Sequence, residues 1–199
     1  MMTDLVDWYN TAEQSGRFTP VELAAVFHYR YIRIHPFEDD NARIARLMSN
    51  YILARHGYPM IVVRSRKKNE YLEALHKTDL TVGSAPSLGA RASKRSIRQF
   101  LTYFTKLFVE EVTFNIRFLT ERGDKVWWFD GLRINFRSDS TSRILNLMST
   151  NPGITIVALS QQVGISIAAV NKQIKQLTDK GYVERSAHGN WRLIITPSI

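Results

Sequence analysis

Twelve consecutive residues, His35-Pro36-Phe37-Glu38-Asp39-Asp40-Asn41-Ala42-Arg43-Ile44-Ala45-Arg46, bring together an imidazole, three carboxylates, an amide and two guanidiniums. Pro36 forbids an ordinary helix through His35 and biases it toward an extended backbone. From Asn41 onward Ile44, Leu47, Met48, Tyr51 and Ile52 recur at the spacing of one apolar helical face. Arg43 and Arg46 share a different face near the start of that helix. A helix start with unpaired backbone N–H groups and two arginines beside it is a site for phosphate. An imidazole just ahead of it can take a proton from a hydroxyl attacking that phosphate. Asp39 can serve as the helix N-cap, as a metal ligand, or as both.

Other elements must hold this stretch in place. Thr19-Pro20-Val21-Glu22 reads as a helix start, with Thr19 as N-cap, Pro20 at the first position and Glu22 closing a capping box. The helix it opens runs to about Ile34 and delivers His35. The helix from Asn41 runs to Gly57, where Gly57-Tyr58-Pro59 supplies a stop. Residues 61–63 read as a short buried extended piece, 69–79 as a helix, and 83–89 as a flexible loop. Residues 93–120 form a long helix with Ile97, Leu101, Phe104, Phe108, Val112 and Ile116 among its apolar positions. Arg64 to Arg98 carries nine Lys or Arg against three acids. Such a run can follow phosphate, although a solvated surface is the plainer reading.

Residues 123–137 are aromatic and basic, with Trp127, Trp128, Phe129 and Phe136, and read as a connector packed between two domains. The division expected is 1–122, 123–137 and 138–199. In the last segment, 142–148, 156–163 and 166–177 read as three helices, the third capped by Ser166. Residues 182–185 and 191–195 then flank His188-Gly189-Asn190 as a β-hairpin.

With 199 residues, no cysteine, 44% hydrophobic content and a formal charge of +9, the chain suits one large or two small domains without disulfides or thiolate metal sites. No apolar run approaches membrane-spanning length, and the start lacks a basic-then-apolar signal, so a cytoplasmic location without membrane partners is expected. His28, His56, His76 and His188 show no paired ligand spacing and read as structural or surface residues.

The central stretch resembles the Fic family signature, His-Pro-Phe-x-Asp/Glu-Gly-Asn-Gly/Lys-Arg-x-x-Arg. His35, Pro36, Phe37, Asp39, Asn41, Arg43 and Arg46 agree in order and without gaps. The flanks 23–34, 53–59 and 71–75 are similar as well, so the resemblance spans roughly residues 3–120. It implies a mainly α fold, a Fic-type helical bundle, and transfer of AMP from ATP onto a Ser, Thr or Tyr hydroxyl of a target protein. By that resemblance His35 is the general base and Asp39 orients Mg²⁺ on the α- and β-phosphates. Asn41, with the backbone N–H groups around Ala42, forms an anion hole, and Arg43 and Arg46 hold the triphosphate. Tyr71 either stacks on the nucleobase or is a core tyrosine. A homodimer is a further expectation.

Two residues depart from the signature: Asp40 stands where it has Gly, and Ala42 where it has Gly or Lys. The Gly would supply a positive φ or a close approach to phosphate. Asp tolerates left-handed geometry, but a carboxylate about 5 Å from a phosphate oxygen repels it by roughly 3 kcal/mol at an effective dielectric near 20. Asp40 therefore points outward, helps hold a metal, or weakens nucleotide binding; the outward or mildly repulsive reading is preferred. No Ser/Thr-x-x-x-Glu-Gly/Asn inhibitory helix is visible, and the family's β-hairpin flap would lie before residue 1.

Residues 138–199 resemble a winged helix-turn-helix domain, three helices plus a β-hairpin. Ser166, Ala169, Asn171, Lys172 and Lys175 on its third helix could then face DNA, although many winged helices bind protein. The alternative function is a DNA-binding transcriptional regulator with a catalytically weak or nucleotide-sensing Fic domain.

Overall fold

The computed structural model describes residues 1–121 and 123–197. Arg122, where the first division was expected to end, lies outside the described residues, as do Ser198 and Ile199 at the end of the last one. The chain forms two compact units, Met1–Phe114 and Asn115–Ile199. The fold is mainly α, as expected.

In the first unit, α1 (Met2–Ser15) precedes α2 (Pro20–Ile34), α3 (Asn41–Arg55), α4 (Lys68–Val82), the short α5 (Pro86–Ala90) and α6 (Arg98–Thr120), whose last residues fall in the second unit. α2 begins with the complete capping box: Glu22 N–H donates to Thr19 Oγ1 (3.3 Å) and Thr19 N–H to the Glu22 carboxylate (3.0 Å). Every residue from Leu23 to Tyr29 is buried. A helix buried on all sides belongs at the centre of a bundle, and α2 is that centre.

α3 packs on α2 with a face other than the one its largest apolar residues suggested. The inward residues are Asn41, Ala45, Ser49, Ile52 and Leu53, whereas Leu47 and Tyr51 are 66% and 51% exposed. Small side chains at 45 and 49 allow close approach of the two helices, and that outweighs the burial of a leucine and a tyrosine. A similar rotation affects α6: Phe100, Phe104, Leu107 and Glu111 face inward while Ile116 is exposed. Residues 83–89 are not simply a loop, because Pro86 starts α5 and a Cβ on Gly89 would lie 2.5 Å from the Arg33 side chain. Residues 61–63 pair with no strand. Instead the Asn50 carboxamide takes both backbone groups of Ile61 (3.0 and 2.9 Å), burying Ile61 and leaving Val62 exposed.

Much of the basic run between Arg64 and Arg98 is engaged in ion pairs. Arg64 makes two bonds to the buried Glu111 (2.9 and 2.7 Å), Lys67 meets Glu110, Lys77 meets Glu73 and Lys94 meets Glu22. Arg64, Lys67 and Lys94 tie neighbouring elements of the unit together, whereas the Lys77–Glu73 pair lies within α4.

In the second unit, β1 (Val126–Phe129) and β2 (Leu132–Asn135) form an antiparallel hairpin, with Val126 opposite Asn135 and Phe129 opposite Leu132. β5 (Thr196–Pro197) adds to the other edge of β1, giving the order β2-β1-β5. Three helices follow the hairpin, α7 (Asp139–Thr150), α8 (Ile156–Val163) and α9 (Ile167–Asp179), and then the antiparallel pair β3 (Val183–Arg185) and β4 (Trp191–Leu193). The aromatic segment expected as a connector thus contains a hairpin whose Trp127, 1% exposed, joins the same core as Ile144, Leu145, Val170 and Trp191. An indole buried that fully stabilises the unit holding it.

Candidate functional site

α2 ends at His35, which has φ 49° and ψ 59° and donates its N–H to Tyr31 O at 3.1 Å. The expected extended backbone is not found. The helix closes with a left-handed residue, the position where glycine is usual, and a non-glycine residue held there costs about 1–2 kcal/mol. That strain turns the exposed imidazole into the mouth of the site instead of continuing along α2.

The loop after it is drawn into a ring by Asn41. Its carboxamide accepts from Phe37 N–H at 3.1 Å and donates to Phe37 O. Asn41 is 3% exposed, and its carboxamide shapes the loop while the residue also lines the hollow described below. Asp40 is left-handed (φ 59°, ψ 9°) at the N-cap of α3, as the glycine of the signature would allow. It caps without a side-chain bond, and its own N–H donates to Asp39 Oδ1 at 2.9 Å. The N-cap is therefore Asp40 and not Asp39. The N–H groups of Arg43 and Ile44 return to Asp40 O. Those of Asn41 and Ala42 have no protein partner among the described residues, and they are the free donors of the helix start.

These residues surround an open hollow of about 300 Å³, lined by His35, Glu38, Asp39, Asp40, Asn41, Ala42, Arg43 and Arg46. The two arginines differ. Arg43 is 76% exposed and turned to the Asp40 carboxylate (3.2 Å), whereas Arg46 is half-buried in the hollow's wall. Glu38, Asp39 and Asp40 supply hard oxygen donors, one Asp39 oxygen being committed to the loop. Among the described residues no group of three or more such side chains is arranged as a complete metal cage. One or two carboxylates completed by phosphate oxygens is the arrangement Mg²⁺ takes, and this donor set fits it.

Tyr71 is not at the surface of this hollow. It is 4% exposed, packed on Phe100 and Tyr103, with its hydroxyl 2.9 Å from His28 Nε2. Stacking on a nucleobase is excluded by that burial, and the core reading of Tyr71 holds. His28, 1% exposed, also lies 3.0 Å from Ser49 Oγ. Burial pushes its imidazole down to about 3, and the charge of nearby Arg46 acts in the same direction. Nothing in the spacing of 28, 49 and 71 announces that these residues meet.

Comparison with known proteins joins the two units to two families. Residues 1–53 match the Fic/DOC family model, and residues 137–184 match that of winged helix-turn-helix DNA-binding domains. The first unit is thus similar to Fic/DOC domains and the second to winged helix-turn-helix domains. The Fic part is 39% identical over 79 residues to protein adenylyltransferase fic-1 of Caenorhabditis elegans, covering 40% of this chain and 15% of that protein. It is 37% identical over 87 residues to protein adenylyltransferase Fic of Nematostella vectensis, covering 43% and 20%. The chain thus spans only 15–20% of the length of these curated relatives. A crystal structure of a Fic domain containing signaling protein from Bacteroides thetaiotaomicron is 52% identical, with a TM-score of 0.57, covering 58% of this chain and 44% of that one.

In the winged helix-turn-helix, the Ser166 hydroxyl accepts from Ala169 N–H (3.2 Å) as the N-cap of α9. It is spent on the helix and not free to read bases. Asn171, Lys172 and Lys175 are exposed and lie on one face of α9, while Ala169 is half-buried. None of the described helices is long and apolar enough to cross a membrane.

Proposed function

We propose that this chain transfers the AMP moiety of ATP to a hydroxyl of a target protein. The observation that carries the proposal is the convergence of His35 with the two free N–H groups of Asn41 and Ala42 and with Arg46 on one hollow. The target's hydroxyl oxygen attacks the α-phosphorus while His35 takes its proton, and the bond to pyrophosphate breaks with its electron pair leaving on the pyrophosphate. The N–H groups of Asn41 and Ala42 bind the charged phosphate oxygens at the positive end of α3. Arg46 holds the remaining phosphates, with Arg43 joining once it lets go of Asp40. Asp39 would hold Mg²⁺, which when bound neutralises phosphate charge. Such transfer needs position and charge more than covalent help, and this hollow is built for both.

Mass spectrometry of the protein and a lysate after incubation with Mg·ATP tests the reading. An added AMP on a hydroxyl residue with wild type and not with His35→Ala is expected; no adduct with either refutes it.

A second reading is supported by the C-terminal match and by the exposed Asn171, Lys172 and Lys175 of α9. In it the chain binds DNA through the second unit and the Fic domain senses nucleotide. Fluorescence anisotropy with random duplexes, with and without Mg·ATP, separates the two: DNA binding altered by nucleotide without any adduct favours the regulator.

A further inference from the structure

Two side chains of the motif loop are left over once the hollow is assembled, Phe37 and Glu38. Phe37 is 56% exposed and belongs to neither hydrophobic core. Its backbone is fixed, because the Asn41 carboxamide holds both its N–H and its carbonyl oxygen. A ring presented in this way gains from burial and has little freedom left to lose when something covers it. Glu38 is exposed and, among the described residues, makes no hydrogen bond or ion pair. Its neighbours are engaged: one Asp39 oxygen accepts from Asp40 N–H, and the Asp40 carboxylate meets Arg43. Both residues stand where an incoming hydroxyl must arrive. Consecutive Cα atoms are about 3.8 Å apart, so Phe37 and Glu38 lie within roughly 8 and 11 Å of His35 along the chain. An extended target segment advances about 3.3 Å per residue. Residues one to three places from the modified hydroxyl therefore pass this ring and this carboxylate.

We propose that Phe37 and Glu38 select the target: the hydroxyl that is modified lies beside an apolar side chain and a Lys or Arg. This selection presupposes the transfer reading of the hollow and names the class of protein segment that transfer accepts. Phe37 covers the apolar neighbour, removing surface on both sides from water. Glu38 attracts the base, and Asp39 and bound Mg·ATP add negative charge at the same mouth. Arg43 is already paired with Asp40, so it does not cancel the charge of Glu38. An acidic segment meets like charge there and is disfavoured.

The test compares AMP-modified sites, by mass spectrometry of a lysate incubated with Mg·ATP and the full chain as wild type, Glu38→Lys or Phe37→Ala. All targets in one mixture compete for the same nucleotide-loaded protein, so ratios between sites cancel any change in ATP affinity. Wild type is expected to favour sites flanked by Lys or Arg over those flanked by Asp or Glu by about twofold to fivefold, the size of an exposed ion pair. Glu38→Lys is expected to shift that ratio toward acidic flanks by a similar factor, less so at high salt. Phe37→Ala is expected to lower modification beside apolar residues by about fivefold to tenfold relative to other sites. Both side chains are exposed, so both variants should fold, and thermal melts check this. An unchanged charge ratio in Glu38→Lys, or an unchanged apolar preference in Phe37→Ala, overturns the selection. An equal loss at every site is a structural effect and overturns it too. In each of these cases wild-type adducts leave the transfer reading standing, whereas a wild-type chain that leaves no adduct removes both.

Discussion

Replacing Asp40 by glycine restores the residue that the Fic signature carries there, and the structure allows the consequences to be worked out term by term. The backbone term is small. Asp40 sits at φ 59°, ψ 9°, which costs a non-glycine residue about 1 kcal/mol, but a glycine loses about 0.5–1 kcal/mol more chain entropy on folding, so stability should barely change. The charge terms favour the variant. Asp40 lines the same hollow as the free N–H groups of Asn41 and Ala42, and at roughly 6 Å a unit negative charge there repels a phosphate charge by about 0.7–2.8 kcal/mol between bulk-water and surface dielectrics. With the carboxylate 59% exposed, the lower end applies, near 1 kcal/mol. The pair with Arg43 is worth ~0–1 kcal/mol at such exposure, and losing it frees Arg43 for the nucleotide. Together these give a gain of roughly tenfold in Mg·ATP affinity at low salt, shrinking as salt screens it. Calorimetry at low and high ionic strength, with Asp40→Asn as a control that removes the charge but keeps a residue tolerant of left-handed geometry, checks each term. Equal affinity in wild type and Asp40→Asn would refute the electrostatic reasoning. Weaker binding together with a lost Mg²⁺ dependence would make Asp40 a metal ligand instead.

His35→Ala should lower transfer by about 10²–10⁴ while leaving Mg·ATP affinity within a few-fold, since a general base acts in the transition state; single-turnover kinetics beside calorimetry checks it. Asn41→Ala removes both bonds that close the loop onto Phe37, and nucleotide binding should fall; hydrogen exchange should show the amides of residues 37–40 opening. Thr19→Ala breaks the α2 capping box and should cost about 1 kcal/mol of stability, read as a lower melting temperature. If α9 binds DNA, Lys172→Ala and Lys175→Ala should each reduce the slope of log affinity against log salt by about 1, without changing sequence preference.

The local chemistry was legible from the residues alone. The capping box at Thr19, the helix beginning at Asn41, the stop at Gly57 and the three helices and hairpin of the last segment depend on near neighbours in the chain, which act over a few residues. The left-handed turn at residue 40 was one of the two readings implied by the glycine that the Fic signature carries there. What required tertiary structure was every choice between equivalent local options. The face α3 buries was decided by how closely Ala45 and Ser49 let it approach α2, a property of two helices and not of one. The same holds for α6, turned so that Phe100 and Phe104 close on His28. His35 was pushed out of the extended region because α2 had to end within one residue of the motif. The Asn41 carboxamide clamps the loop through two bonds to Phe37, a role that its place in the motif does not announce. Tyr71 lies 43 positions from His28, and no periodicity links residues on separate helices. The type and spacing of residues determine which chemistry is available at this site; the packing of α2, α3 and α4 decides which side chains are free to perform it, because a buried polar group must spend its hydrogen bonds where the fold puts a partner.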